Sequence, residues 1–441
     1  MPVPSVPTSQ TPWPVRSGNT VTPWVDGVAF YGRLLAAIRA AKTSVWGVLS
    51  FVHRDFAFPD GTLLWDAFDA AAARGVDVRL LCWRNTAFTL GHGPSKIFHG
   101  TADDLAFLAR RDTQWRAKWD DSHPDRGHCH HQKLWVVDAG EPSEVGFVGG
   151  MTLGKSTVDG PKHLKPHSRH DVFFEVRGPA SSDVAANFIQ RWNHPRVAVD
   201  TPPPWPDDDG LLEATAVAPA VGTVPVQITR TIAPGRYGLE DGESGILAQH
   251  RRAFAAAERT IYIENQHPGE ESLLVLLDEA LTRGVEVVYL VPGEPMLAIR
   301  REKARTRGRY AETFRRLAAL GRHSGFTLAA LATATGEVYV HAKVCIVDGE
   351  WCTGGSANLV NLSLAADHTE LNLSLWHAPT ALGLLLQLGG EHTGADLSGE
   401  DDLGVLRAMS TAARHRRGHL YALDPAQHGD ERAQRTEASA P

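Results

Sequence analysis

Apolar positions along this chain follow two alternating rhythms. Short runs rich in β-branched residues, such as KTSVWGVLSF (42–51) and VDVRLLCW (76–83), read as buried strands. Between them, LLWDAFDAAAARG (63–75) and SLLVLLDEALTRG (272–284) place apolar residues three and four apart, as amphipathic helices do. Both helices close on Arg-Gly just before a β-branched strand. That ending fits αβ units around a largely parallel or mixed sheet.

The pattern occurs twice. HQKLWVVD (131–138) is answered by HAKVCIVD (341–348), and ARGVDVRLL by TRGVEVVYL, at almost the same interval. AAKTSVWGVLSF resembles AAERTIYIENQH in the same order, so the chain reads as two copies of one unit. The expected organisation is a disordered segment over 1–16, a first half over 17–200, a Pro-rich linker over 201–225, a second half over 226–426 and a disordered tail over 427–441. TPPPWPDDDG (201–210) marks the linker, because its prolines forbid regular structure.

Polar residues on two otherwise apolar strands carry the chemistry. Residues two apart on a strand share a face, so His131 lies beside Lys133 and His341 beside Lys343. Asp138 and Asp348, seven positions on, turn to the other side; they complete the motif but are expected to fix the strand end. If the halves pack as symmetric copies, two cations face one cleft and select an anion, most naturally a phosphate. One neutral imidazole then attacks phosphorus, while the other supplies the proton of the leaving alcohol. Asp171 in RHDVFFEV, following His131, and Glu370 in DHTELNLSL, following His341, are the carboxylates expected to orient the rings.

Three other signals weigh less. His128, Cys129, His130 and His131 suggest a metal, but neighbours on a strand alternate faces and no second cluster at zinc spacing follows. No metal or cofactor is therefore expected in the reaction. GGMTLGKS (149–156) satisfies a phosphate-loop pattern literally, yet Gly160, Pro161 and Pro166 forbid the helix that must follow. Trp115 and Trp119 could face a lipid surface; a partly buried loop is the preferred reading.

The duplicated HxKxxxxD motif resembles the phospholipase D superfamily. IYIENQHP (261–268), GGSANL (354–359) and HDVFFEVRGPASSDVAANFIQRWN (170–193) are similar to further blocks of that family, and HHQK looks more like its eukaryotic-type members than like cardiolipin synthases. The resemblance implies two pseudo-symmetric αβα-sandwich halves with the active site at their interface. It implies a phosphohistidine on His131, His341 as general acid, and phosphoryl oxygens held by Lys133, Lys343 and Asn358. Ser356 and Gly150 would complete the substrate-binding turns. The first-half turn has Thr152 where the second has Asn358, so Thr152 is not counted as a ligand.

The activity implied is phospholipase D: metal-independent cleavage of a glycerophospholipid to phosphatidic acid, with water or an alcohol as acceptor. Alternatives are a nuclease or phospholipid synthase using the same exchange, or a phospholipid-binding protein without turnover. The formal charge of −7 weighs against nucleic acid. Four scattered cysteines suggest a reducing compartment. No apolar run is long enough to span a membrane, and no signal-peptide core opens the chain. The expectation is a cytoplasmic monomer that touches membranes peripherally.

Overall fold

A computed structural model describes residues 10–84, 97–111, 114–120, 129–195, 201–206, 210–296, 299–300, 303, 310–365 and 367–430. The first half contributes strands β1 (Arg16–Val25), β2 (Ser44–Leu49), β3 (Asp77–Trp83), β4 (Arg116–Asp120), β5 (Leu134–Val137), β6 (Val145–Gly149), β7 (Arg169–His170) and β8 (Val172–Arg177). Its helices are α1 (Gly27–Ala40), α2 (Leu64–Ala72), α3 (Ala102–Arg110) and α4 (Ser181–Asn193). From the second half come β9 (Val224–Ile232), β10 (Glu243–Ser244), β11 (Thr260–Glu264), β12 (Glu286–Leu290), β13 (Phe326–Thr333), β14 (Gly336–Val340), β15 (Val344–Val347), β16 (Trp351–Gly355), β17 (Glu370–Trp376) and β18 (Leu420–Ala422). Its main helices are α5 (Gly245–Ala256), α6 (Glu271–Thr282), α7 (Ala311–Leu320), α8 (Ala378–Thr393) and α9 (Asp402–Arg414).

The two halves repeat one topology. In the first, β2, β3 and β4 run parallel, while β5, β6, β8 and β1 continue antiparallel from the other side of β2. In the second, β11, β12 and β13 run parallel, and β15, β16, β17 and β9 continue in the same way. An irregular antiparallel pairing of β1 with β9 joins the two sheets. Helices cover both faces of each sheet, which is why strands such as SVWGVL are buried at every residue. One cluster packs α1 and α2 on the outer face of the first sheet, and another packs α5, α6 and α7 on the second. A third runs through both halves, joining Val48, Leu134, Val148 and Phe174 to Val226, Ile346, Leu371 and Leu373.

The repeated Arg-Gly has a mechanical role. Gly75 and Gly284 take φ of 85° and 94°, where a side chain would be strained. Arg74 donates to the Ile38 carbonyl beyond its own helix, and Arg283 donates to those of Phe254 and Ala257. Each guanidinium thus satisfies carbonyls at the end of the preceding helix, which that helix leaves unpaired.

Several expectations need correction. Residues 10–16 are ordered: Trp13 is buried beneath the Arg230 guanidinium, the Thr11 hydroxyl donates to the Ile228 carbonyl, and Arg16 opens β1. The remainder of that segment, 1–9, lies outside the described residues, as do 207–209 of the linker and 431–441 of the tail; tail residues 427–430 are ordered, with His428 buried and its carbonyl accepting from Lys303 Nζ. Within the linker, Trp205 exchanges two backbone hydrogen bonds with Ala117, and the Ala218 amide donates to Ser182 Oγ, so this stretch is laid against the first half. Trp115 and Trp119 belong to or flank β4 and are 0% and 2% exposed, which removes them from any lipid-facing surface. After β6, GGMTLGKS leads only into a single three-residue 3-10 turn, and Lys155 pairs with Asp55 at 3.0 Å, so no phosphate loop forms.

Candidate active site

Each motif strand crosses toward the other half before entering its own sheet. The His131 amide donates to the Thr369 carbonyl, and that of Thr369 donates to Cys129. Reciprocally, β14 pairs with β7, and the His341 amide donates to the His170 carbonyl. Each histidine therefore lies beside the carboxylate strand of the opposite half.

The geometry reverses the pairing expected from sequence order. His131 Nδ1 lies 2.9 Å and 3.0 Å from the two Glu370 carboxylate oxygens, and His341 Nδ1 lies 2.6 Å from Asp171 Oδ2. Asp171 and Glu370 do contact the two rings, but each serves the histidine of the other repeat. Sequence separation could not show this, because it records order along one chain and not which strand edges meet.

The two pairs differ electrostatically. Burial pushes His131 down to about 3, while Glu370 is held well below the usual carboxylate range, its burial outweighed by its contacts with His131, by a hydrogen bond with His368 and by the Lys133 charge. Across the cleft, burial and then Lys343 press His341 well below its ordinary value, yet burial drives Asp171 up to about 7. The first pair is thus a neutral imidazole donating from Nδ1 to an ionised carboxylate. In the second, burial raises the Asp171 carboxyl to about 7, which lets it carry a proton toward His341 Nδ1 near neutrality.

Both lysines are buried and anchored by the backbone of their own motif. Lys133 Nζ donates to the His131 carbonyl at 2.6 Å, and Lys343 Nζ donates to that of His341 and, at 3.3 Å, to Gln266 Oε1. Burial lowers them to about 8 and about 7. An ammonium has three donors, so each retains capacity for an anion.

Other sequence-derived positions separate into contacts and supports. Asp138 and Asp348 stay with the strand ends: Asp138 Oδ1 accepts from the amides of Lys42 and Thr43, and Asp348 Oδ1 from those of Arg259 and Thr260. Although they complete the motif, neither hydrogen-bonds to the two rings among the described residues. Ser356, expected to bind substrate, is committed elsewhere: its Oγ donates to Glu370 Oε2 at 2.5 Å and accepts from the Leu371 amide. Gly150 has a steric role, since a Cβ there would lie 2.7 Å from Asp171 Oδ1. Asn358 is buried, and its Oδ1 makes no hydrogen bond within the described residues.

Several supports had no role in the sequence reading. Asn265 Oδ1 accepts from the Leu359 amide and so braces the GGSANL turn, which gives IYIENQ a structural purpose. Gln132 Nε2 donates to the Glu370 carbonyl, and Arg191 donates to Gln132 Oε1 from a fully buried ion pair with Asp120. The His368 ring lies 5.7 Å from that of His131. Its position between Asp367 and Glu370 on the carboxylate-bearing segment was the available signal.

A family model described as "Cardiolipin synthase, PLD-like domain" matches residues 251–384. Cardiolipin synthase A of Pseudomonas entomophila strain L48 is 26% identical over 363 residues, covering 79% of this chain and 64% of the relative. The chain thus spans less than two thirds of that relative's length. Phospholipase D B of Dictyostelium discoideum is 26% identical over 227 residues, 41% of this chain and 18% of that protein. Among solved structures, phosphatidylserine synthase of Haemophilus influenzae Rd KW20 superimposes with a TM-score of 0.58 at 13% identity, over 93% of this chain and 88% of that one. That likeness concerns the fold. The preference for eukaryotic-type relatives is not what these matches favour: cardiolipin synthases are matched over more of the chain. Among the described residues no helix is long and apolar enough to cross a membrane.

Proposed function

From its membership of the phospholipase D superfamily, we propose that this chain is a phosphatidyltransferase that moves a phosphatidyl group between alcohols through a phosphohistidine. The observation carrying the proposal is the reciprocal pairing of His131 with Glu370 and His341 with Asp171, with one buried lysine anchored on the backbone carbonyl of each histidine. Broader coverage by cardiolipin synthases supports transfer over the hydrolysis first expected from the sequence.

His131 Nε2, with its lone pair free, attacks phosphorus and forms the P–N bond. The ester bond to the departing alcohol breaks, and its oxygen takes the proton from His341 Nε2. Nδ1 of His341 receives the Asp171 proton at the same time, so the ring stays neutral. Lys133 and Lys343 hold the phosphoryl oxygens as charge accumulates there. In the second half-reaction an acceptor alcohol gives its proton back along this route and attacks phosphorus, and the P–N bond breaks. A phospholipid headgroup hydroxyl as acceptor yields a diphosphatidyl product, and water yields phosphatidic acid.

Vesicles of phosphatidylglycerol, and of phosphatidylcholine with added glycerol, test the reading by product analysis. Transfer products should exceed phosphatidic acid; phosphatidic acid alone would return the protein to the hydrolases. Acid-labile phosphoprotein should be trapped with the intact enzyme and be absent from His131→Ala. Rates of His131→Ala and His341→Ala should fall by about 10⁴-fold or more, and retention of turnover would remove both rings from the chemistry.

A further inference from the structure

Directly behind Asp171 lies a second buried cluster that the transfer reaction does not use. Asp26, at the junction of β1 and α1, His163 in the loop after β6, His170 on β7 and Glu391 on α8 each direct one ligand-type atom to a common point, all within 4.8 Å of one another. Asp26, His163 and His170 are essentially inaccessible, and the Glu391 side chain is 6% exposed.

From this arrangement, we infer a structural zinc site formed by Asp26, His163, His170 and Glu391. With either oxygen of Asp26 counted, the separations fall near those around a tetrahedral ion. Glu391 Oε1 lies 3.3 Å from both His163 Nε2 and His170 Nδ1; Asp26 Oδ2 lies 3.5 Å from His163 Nε2, and Asp26 Oδ1 3.0 Å from His170 Nδ1. A tetrahedral centre with bonds of about 2.0–2.1 Å has ligand–ligand edges of about 3.3–3.4 Å. Hydrogen bonding accounts for only part of the cluster, the contact of His163 Nε2 with Glu391 Oε1. Asp26 Oδ2 and His170 Nδ1 are both buried and make no hydrogen bond among the described residues.

The outer partners fit as well. A metal-bound imidazole needs an acceptor or anchor for its other nitrogen. His170 Nε2 lies 3.0 Å from Glu264 Oε2, and His163 Nδ1 lies 2.9 Å from Ser168 Oγ. Two neutral imidazoles and two carboxylates balance the charge of one divalent ion, so the burial carries no net charge among the four ligands. Asp26 occupies the N-cap of α1 without capping it, although aspartate there ordinarily accepts from the helix amides. Its φ of 63° turns the carboxylate inward instead, and His163 likewise has φ 45°. Such backbone strain persists where surrounding contacts over-determine it.

The ion would link the first half to α8 of the second and stiffen the segment that carries Asp171. Asp26 already exchanges backbone contacts with that residue: its amide donates to the Asp171 carbonyl at 2.9 Å, and its Oδ1 accepts from the Asp171 amide at 3.4 Å. The role is positional and goes beyond the transfer reaction.

Elemental analysis of the full chain, purified without chelator, should find about one zinc per molecule. Stripping by a strong chelator should lower Tm, and equimolar ZnCl₂ should restore it by on the order of 5 °C. Glu391→Gln and His163→Ala should each reduce bound zinc at least tenfold. Full zinc retention in either folded variant would overturn the assignment. If the variants fail to fold, the intact chain decides: no zinc taken up after stripping and no change in Tm overturns it. None of these readouts depends on activity, so a failed transferase assay leaves the zinc result interpretable.

Discussion

At the scale of single residues, two imidazoles of the same motif are made unlike by their carboxylates. In the proposed reaction Glu370, held ionised, fixes the nucleophile, and Asp171, raised toward neutrality by burial, supplies the acid. A substrate whose leaving group needs no protonation separates these roles. With a nitrophenyl phosphodiester, His341→Ala and Asp171→Asn should recover most of their lost rate, whereas His131→Ala and Glu370→Gln should stay depressed by about 10³-fold or more. Equal recovery in all four would contradict the division. The lysines set the alkaline limit. Each must be protonated to attract phosphate, and burial lowers Lys343 to about 7 and Lys133 to about 8. As pH rises through these values charge is lost, so kcat/KM should fall above about pH 7. Arginine keeps its proton there, so Lys343→Arg should move the fall upward; a limb that stays near 7 would trace it to Asp171 instead. The histidines and lysines were legible because their motif occurs twice; the strand period expected to align them does not apply, since residues 131–133 and 341–343 lie just before β5 and β15 and not on them. That the Ser356 hydroxyl meets a carboxylate fourteen residues on was not legible, since nothing local to GGSANL reveals it.

At the scale of elements, the motif aspartates tie one strand to the start of the next. Asp348 Oδ1 and Oδ2 accept from the amides of Glu258, Arg259 and Thr260, and Asp138 does the same for the entry to β2. Both sit at positive φ, 54° and 55°, which aspartate and asparagine tolerate better than alanine. Asp138→Ala should therefore cost about 1–3 kcal/mol of stability with near-normal turnover below the melting range, and Asp138→Asn should cost less. Urea unfolding with parallel rate measurements checks this; loss of turnover in a stable Asp138→Asn would give the residue a chemical role. Helices and strands were readable here because both faces of each sheet are covered, so apolar runs mark strands and Arg-Gly marks helix ends. The anchoring of residues 10–15 and of the Trp205 stretch was not, because proline-rich sequence without periodicity gives no hint of the surface it lies against.

At the scale of the whole molecule, the duplication was visible in the sequence, but the depth of its union was not. One apolar cluster passes from Val48 and Phe174 to Val226 and Leu373, and β1 hydrogen-bonds to β9 across the boundary. Two halves that share a core should unfold together. Calorimetry should give one transition with equal calorimetric and van't Hoff enthalpies, and two resolved peaks would show that the halves are separable. The crossed carboxylates carry a historical implication. A polypeptide bearing one repeat could complete neither acid–imidazole couple by itself. It would become whole only by meeting an identical copy about a twofold axis, each lending its acid to the other. Fusion of two such copies would have made that exchange permanent, leaving the once-equal sites free to diverge into donor and acceptor of a proton.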